Sequence, residues 1–131
     1  MALTIASELV AQIVAEARSS PGVEICGLLI GERAVPCRNV ADAPATRFEI
    51  DPAALIAAYR DGRRGGPAIV GCYHSHPNGS AVPSPRDAAD AAANGWLWLI
   101  VGGDGTVKAW RAVKNGAVHG RFDPVALRVA G

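Results

Sequence analysis

The sequence predicts a single α/β domain over residues 1–131, a mixed β-sheet sandwiched by helices. Three observations predict it. A chain of 131 residues suits one core and leaves no room for a second. Its hydrophobic fraction of 50% against 19% charged is too apolar for a disordered chain. Finally, β-type runs mix with stretches of helical spacing.

From Thr4, read as an N-cap, to about Ser19, apolar residues recur at Ile5, Leu9, Ile13 and Ala17, with Val10 and Val14 widening the stripe. That is helical spacing, and Pro21 and Gly22 end it. Val23 to Ile30 reads as a strand interrupted by Gly27, and Val35 to Val40 as its partner after a turn at 31–33. Pro36 marks this second strand as an edge. The loop from Ala41 to Arg47 leads through Phe48 and Ile50 to Asp51 and Pro52, a cap followed by proline at the first helical position. That helix should run to Asp61 and stop at Gly62.

Ala68 to Tyr73 is a short buried strand, and Ser84 with Pro85 opens a third helix that continues to Asn94 and Gly95. Trp96 to Val101 is nearly all apolar, as suits a central strand covered on both faces. Glycines at 102, 103 and 105 turn the chain into Thr106 to Val113. They make no phosphate loop, since no helix start or GK[ST] follows. Asn115 and Gly116 mark another turn, and the tail carries no clear pattern.

Charge and cysteines exclude several function classes. Lys+Arg 13 against Asp+Glu 12 gives +1, so no field recruits nucleic acid or an anionic membrane. No apolar run nears the roughly 18 residues of a membrane span. Cys26, Cys37 and Cys72 form no CxxC pair, and a reduced cytosol fits them best. The first twenty residues carry Glu8 and Glu16 without a basic head and read as a helix, not a signal peptide. A soluble, cytoplasmic chain with no nucleic-acid or membrane partner is expected. An oligomer stays open, because Trp96, Trp98 and the Ile13 stripe suit a core or a subunit interface equally.

The chemistry concentrates between Tyr73 and Asp87, in YHSHPNGSAVPSPRD. Strand residues alternate faces, so His74 and His76 point to one side at a strand end and can share one ion. Asp87 lies in the first turn of the next helix, which can fold back and offer a third ligand. Three protein ligands with a fourth position left to water is the pattern of a catalytic zinc. Such a metal lowers the pKa of water from about 15.7 to about 7 and polarises a carbonyl. The water needs a base, and Glu24, opening a strand whose remainder is apolar, is the candidate. Ser84 is placed to donate to an oxyanion, a role worth about 3 kcal/mol elsewhere.

Each residue also has a plainer reading. Ser84, Pro85 and Asp87 suit any helix N-terminus, Glu24 alone would be a strand-edge carboxylate, and Cys72 a core thiol sharing a face with His74. Arg60, Arg63 and Arg64 fit a solvated helix end, and His119 the surface. The combination shifts the balance: a chance HxH pair is expected about 0.07 times here, and the added Pro, Ser and Asp positions bring this to about one in a hundred thousand.

Glu24, then His74-Ser75-His76-Pro77, then Ser84 and Asp87 resemble the JAMM motif of the JAB1/MPN metalloproteases. The likeness extends through EICGLLIGER, RFEIDP, IVGCYHSHP, PSPRDAADA and GWLWLIVG, from the first helix to about Trp110, and looks like the prokaryotic branch. The resemblance implies a JAB1/MPN-type fold, with His74, His76 and Asp87 as zinc ligands, Glu24 as general acid/base and Ser84 as oxyanion stabiliser. It also implies cleavage of peptide or isopeptide bonds after the glycine tail of a ubiquitin-like β-grasp or sulfur-carrier protein. The segments between Val40 and Phe48 and between Pro77 and Ser84 are short, so the insertions that grip a second ubiquitin in eukaryotic relatives are absent and a small carrier is the expected substrate. Only glycine lets a backbone approach a metal closely from either side, and a strand edge can hold such a tail by β-addition.

Two other readings compete. A non-catalytic MPN scaffold commonly lacks the ligands, all of which stand here. A zinc deaminase needs H-x-E and P-C-x-x-C, which this sequence lacks.

Overall fold

The computed structural model describes residues 2–131. Its strands are β1 (Ala2–Ala6), β2 (Cys26–Ile30), β3 (Arg33–Cys37), β4 (Ile69–Ser75), β5 (Leu97–Val101), β6 (Val107–Gly116) and β7 (Gly120–Ala130). Its helices are α1 (Ser7–Ser19), α2 (Pro52–Arg63) and α3 (Pro85–Asp90). The strands form one mixed sheet in the order β1-β7-β6-β5-β4-β2-β3, with β4–β5 and β1–β7 parallel.

Helices cover both faces, and alternation along the central strands sorts two apolar clusters. Tyr73, Leu97, Leu99 and Val101 turn to one side and pack with Ile13 of α1. Cys72, Trp98 and Ile100 turn to the other and pack with Trp110, Phe122 and Ala88 of α3. All five residues of β5 are buried, as expected of a central strand. Ile13 and Trp98 are core within the chain, while Trp96 is half-buried beside Tyr59 of α2. The Pro36 strand, β3, is one edge of the sheet, as expected.

Several boundaries depart from the sequence expectation, β3 among them, which spans Arg33–Cys37 and not Val35 to Val40. Thr4 does not cap α1: residues 2–6 pair in parallel with β7 instead, and the helix starts after Ala6, which makes no side-chain cap. Ile5 still reaches the expected cluster, because the sheet and the helix stripe share it. Gly62 lies inside α2, and the stop falls at Arg64 and at Gly65, whose φ of 96° takes the left-handed turn that glycine allows. Helix α3 ends at Asp90, not near Asn94, because Ala91 turns extended and packs on the Trp98 cluster. So short an alanine run has little helical persistence of its own. The patternless tail is β7, the longest strand, and β6 runs through Asn115 to Gly116, so the turn falls at 117–119.

Close packing beneath the site depends on glycine. A Cβ at Gly71 of β4 would lie 2.9 Å from the Leu97 amide nitrogen and nearer still to its carbonyl, and backbone cannot step aside as a side chain can. Gly71→Ala is therefore expected to cost about 3 kcal/mol, the upper end of the overpacking range, read as a lower urea midpoint. An unchanged midpoint would contradict the packing described.

Candidate metal centre

Strand β4 and helix α3 bring the principal groups together. His74, inside β4, and His76, one residue beyond it, turn to the α3 side, where the Ser84 and Pro85 start aims Asp87 back at them. The Ser84 hydroxyl accepts from the Asp87 amide at 3.0 Å, while the Asp87 carboxylate accepts from the Ser84 amide at 2.9 Å, a capping box. Nε2 of His74 lies 3.0 Å from Nε2 of His76 and 3.2 Å from Oδ2 of Asp87, and His76 Nε2 lies 3.1 Å from the same oxygen. Glu24 joins them: one ligand atom from each of the four residues falls within 4.8 Å of the others.

The triangle is built for a cation. His76 Nδ1 sits 2.8 Å from the Ser80 carbonyl, which only accepts, so Nδ1 carries a proton and donates. Its Nε2 then meets the Asp87 oxygen through a proton of its own or through a metal ion. Tetrahedral ligands at 2.0–2.1 Å from zinc stand about 3.3 Å apart, close to the spacing seen. Two imidazoles and a carboxylate also suit that metal chemically, and the Ser80 carbonyl is the outer partner that orients a ligating histidine. The residues fit a metal ion.

Burial tunes these groups in different directions. His74 is fully enclosed, stacked on Phe48 at 4.3 Å with the Trp98 ring edge-on at 5.6 Å. Burial lowers its pKa, against its bond to Asp87. His76 keeps 12% side-chain exposure; burial lowers its pKa too, but the Asp87 and Ser80 bonds outweigh this and raise it. Asp87 feels burial upward, yet the two histidines and the Ser84 amide hold it well below the usual carboxylate range. Glu24 goes the other way, pushed up to about 7 by burial, with His76 pulling down and Asp87 pushing up. Its Oε1 is buried without a hydrogen-bond partner, unusual for a carboxylate.

Not every sequence expectation joins the centre. Glu24 does not open a strand, since β2 begins two residues later at Cys26. It is fixed by its amide donating to the Pro44 carbonyl at 2.7 Å and its carbonyl accepting from Asn39 at 2.9 Å. Ser84 sits beside Asp87 as its cap; a hydroxyl that accepts keeps its own O–H to donate. Cys72 is core, its thiol pushed well up by burial, and stands outside the four-residue cluster. His119 is exposed, as expected, but its Nε2 also lies 3.1 Å from the Pro83 carbonyl, bracing the loop before Ser84. Asn39, Phe48 and Ser80 carry no sequence mark as parts of a site, because Asn39 binds backbone groups, Ser80 acts through its own carbonyl and Phe48 acts by stacking.

Comparison with known proteins agrees with this fold. Residues 6–113 match the family model described as prokaryotic homologues of the JAB domain. A desampylase of Haloferax volcanii is 33% identical over 118 residues, covering 82% of this chain and 85% of the relative. A probable TtuB-protein conjugate cleaving protease of Thermus thermophilus is 42% identical over 76 residues, 56% of this chain and 49% of that one. Among solved structures, a Desulfitobacterium hafniense protein superposes with a TM-score of 0.81 at 26% identity, over 97% of this chain and 92% of its own. A structure described as JAMM, a metalloprotease-like zinc site in the proteasome and signalosome, shares the fold at a TM-score of 0.60 and 20% identity, with both chains fully covered. With its mixed sheet, its histidines at the end of β4 and a family match spanning most of its length, the chain belongs to the prokaryotic JAB-domain family.

Proposed function

We propose that the chain is a zinc-dependent isopeptidase or peptidase that cleaves after the C-terminal glycine tail of a ubiquitin-like or sulfur-carrier protein. The observation that carries this reading is the convergence of two imidazole nitrogens and a carboxylate oxygen within 3.0–3.2 Å, beside a buried carboxylate with an unpartnered oxygen. The relatives named for desampylation and for cleaving TtuB conjugates support the substrate class.

In this reading His74, His76 and Asp87 hold the zinc. When bound, it supplies a Lewis acid that acidifies water to a pKa of about 7 and polarises the scissile carbonyl. Glu24 takes the proton at its carboxylate and returns it to the departing amine. Burial raises the Glu24 carboxyl, the direction that suits a group that must both take and return a proton, since a general acid/base works best with its pKa near the operating pH. Ser84 offers its O–H to the carbonyl oxygen as negative charge grows there. Phe48 and Trp98 exclude water from one side of His74 and keep its ring in plane for the shared ligand position.

The test is incubation with a β-grasp carrier bearing a C-terminal extension. The expected product is the carrier ending at its last glycine, identified by intact mass. Treatment with a chelator should abolish cleavage, and added zinc should restore it. An uncleaved fusion after incubation with metal-replete protein would count against the proposal.

A further inference from the structure

We propose that Asn39 is a positioning residue for this reaction, holding Glu24 and Phe48 in place against His74 through a side-chain amide whose hydrogen-bonding capacity is fully used. The role rests on the reading of Glu24 as proton carrier.

Asn39 stands two residues past β3, half-buried, and lies outside the metal cluster. Its Nδ2 donates to the carbonyls of Glu24 at 2.9 Å and Arg47 at 3.0 Å. Its Oδ1 accepts from the amides of Ala41 and Glu49, both at 3.0 Å. An asparagine amide has two donor hydrogens and two acceptor lone pairs. All four are engaged, each on a backbone group, and they join three segments of chain.

Two features of the site hang from this hub. Glu24 precedes β2, so no strand ladder fixes its backbone; Asn39 and the Pro44 carbonyl do. Phe48 lies between Arg47 and Glu49, both bonded to Asn39, and its ring stacks on His74. The hub thus sets where the proton carrier and one wall of the histidine pocket lie. A displacement of about 1 Å at such a group can cost about 100-fold in rate.

Chemistry separates the hub's two halves. Asn39→Asp keeps both acceptor contacts but loses both donors, and sets a carboxylate against the carbonyls of Glu24 and Arg47. Asn39→Ala loses all four contacts. With a carrier-extension fusion as substrate, both variants are expected to lower kcat by about 10- to 100-fold and to leave KM within about threefold. Bound zinc per chain should not change. In a Glu24→Gln background the same changes should cost clearly less than in the wild type, because one of the two groups being positioned is already lost and what remains acts through Phe48 alone.

Amide hydrogen exchange reads the hub without activity. The Ala41 and Glu49 amides should stay protected in Asn39→Asp and become labile in Asn39→Ala. Equal fold-losses in the wild-type and Glu24→Gln backgrounds, or a folded Asn39→Asp with unchanged kcat, would overturn the positioning role while the reaction reading stood. A metal-loaded wild-type chain that cleaved no fusion, with its amides still protected, would overturn the reaction and this role with it.

Discussion

Glutamine in place of Glu24 is expected to leave the metal bound and to reduce kcat by about 100- to 10,000-fold, the range that general acid-base groups contribute. The swap preserves shape and keeps a polar group where Glu24 is buried, but removes the atom that can take a proton. The proposed ligands are His74, His76 and Asp87, which converge at 3.0–3.2 Å, and not Glu24, so zinc content should match the wild type. KM should change little, because the loss falls on the transition state. Full turnover by a zinc-loaded Glu24→Gln protein would show that the proton travels by another group.

His74→Ala should fail differently, losing metal and activity together. The imidazole is fully enclosed between Phe48 and Trp98, so no water-exposed side chain can swing in to replace it. Loss of an outer-shell partner alone costs about 10- to 100-fold in metal affinity. Loss of a ligand should exceed that, leaving no zinc after dialysis and no measurable cleavage. Wild-type zinc affinity in this variant would overturn the ligand assignment. The pair of results separates residues that hold the ion from the residue that moves the proton.

How legible the site was depended on how short-range its geometry is. His74 and His76 could be paired because a separation of two on a strand means one face, and Asp87 could be added because Ser84 and Pro85 announce a helix start. Those relations hold within fifteen residues of chain, and the structure brings the three side chains together. Glu24, fifty residues from His74, stands out only as an acid among apolar neighbours, and its segment has the composition of a strand although β2 begins at Cys26. What fixes it is a set of hydrogen bonds to backbone carbonyls and amides through Asn39. Such bonds are indifferent to the identity of the residues they join, so they leave no pattern in the sequence.

The fold was legible in its centre and obscure at its margins for a similar reason. Strand β5 declares itself by five consecutive buried residues, and Pro36 declares an edge. Strand β1 is invisible alone, because Ile5 fits a helical stripe as well as a strand until β7 is there to pair with. β7 in turn carries Pro124, which argues against a strand. Among the described residues β1 pairs with β7 from Ala126 onward, so residue 124 lies outside that pairing, where a missing amide costs no ladder bond.

The most direct test of the metal-centred account is a zinc titration of chelator-stripped protein, with bound metal and carrier-fusion cleavage measured on the same samples. The account predicts that the rate rises in proportion to bound zinc and levels off at one ion per chain. Full cleavage by the stripped protein, or zinc bound at one per chain with no cleavage, would contradict it.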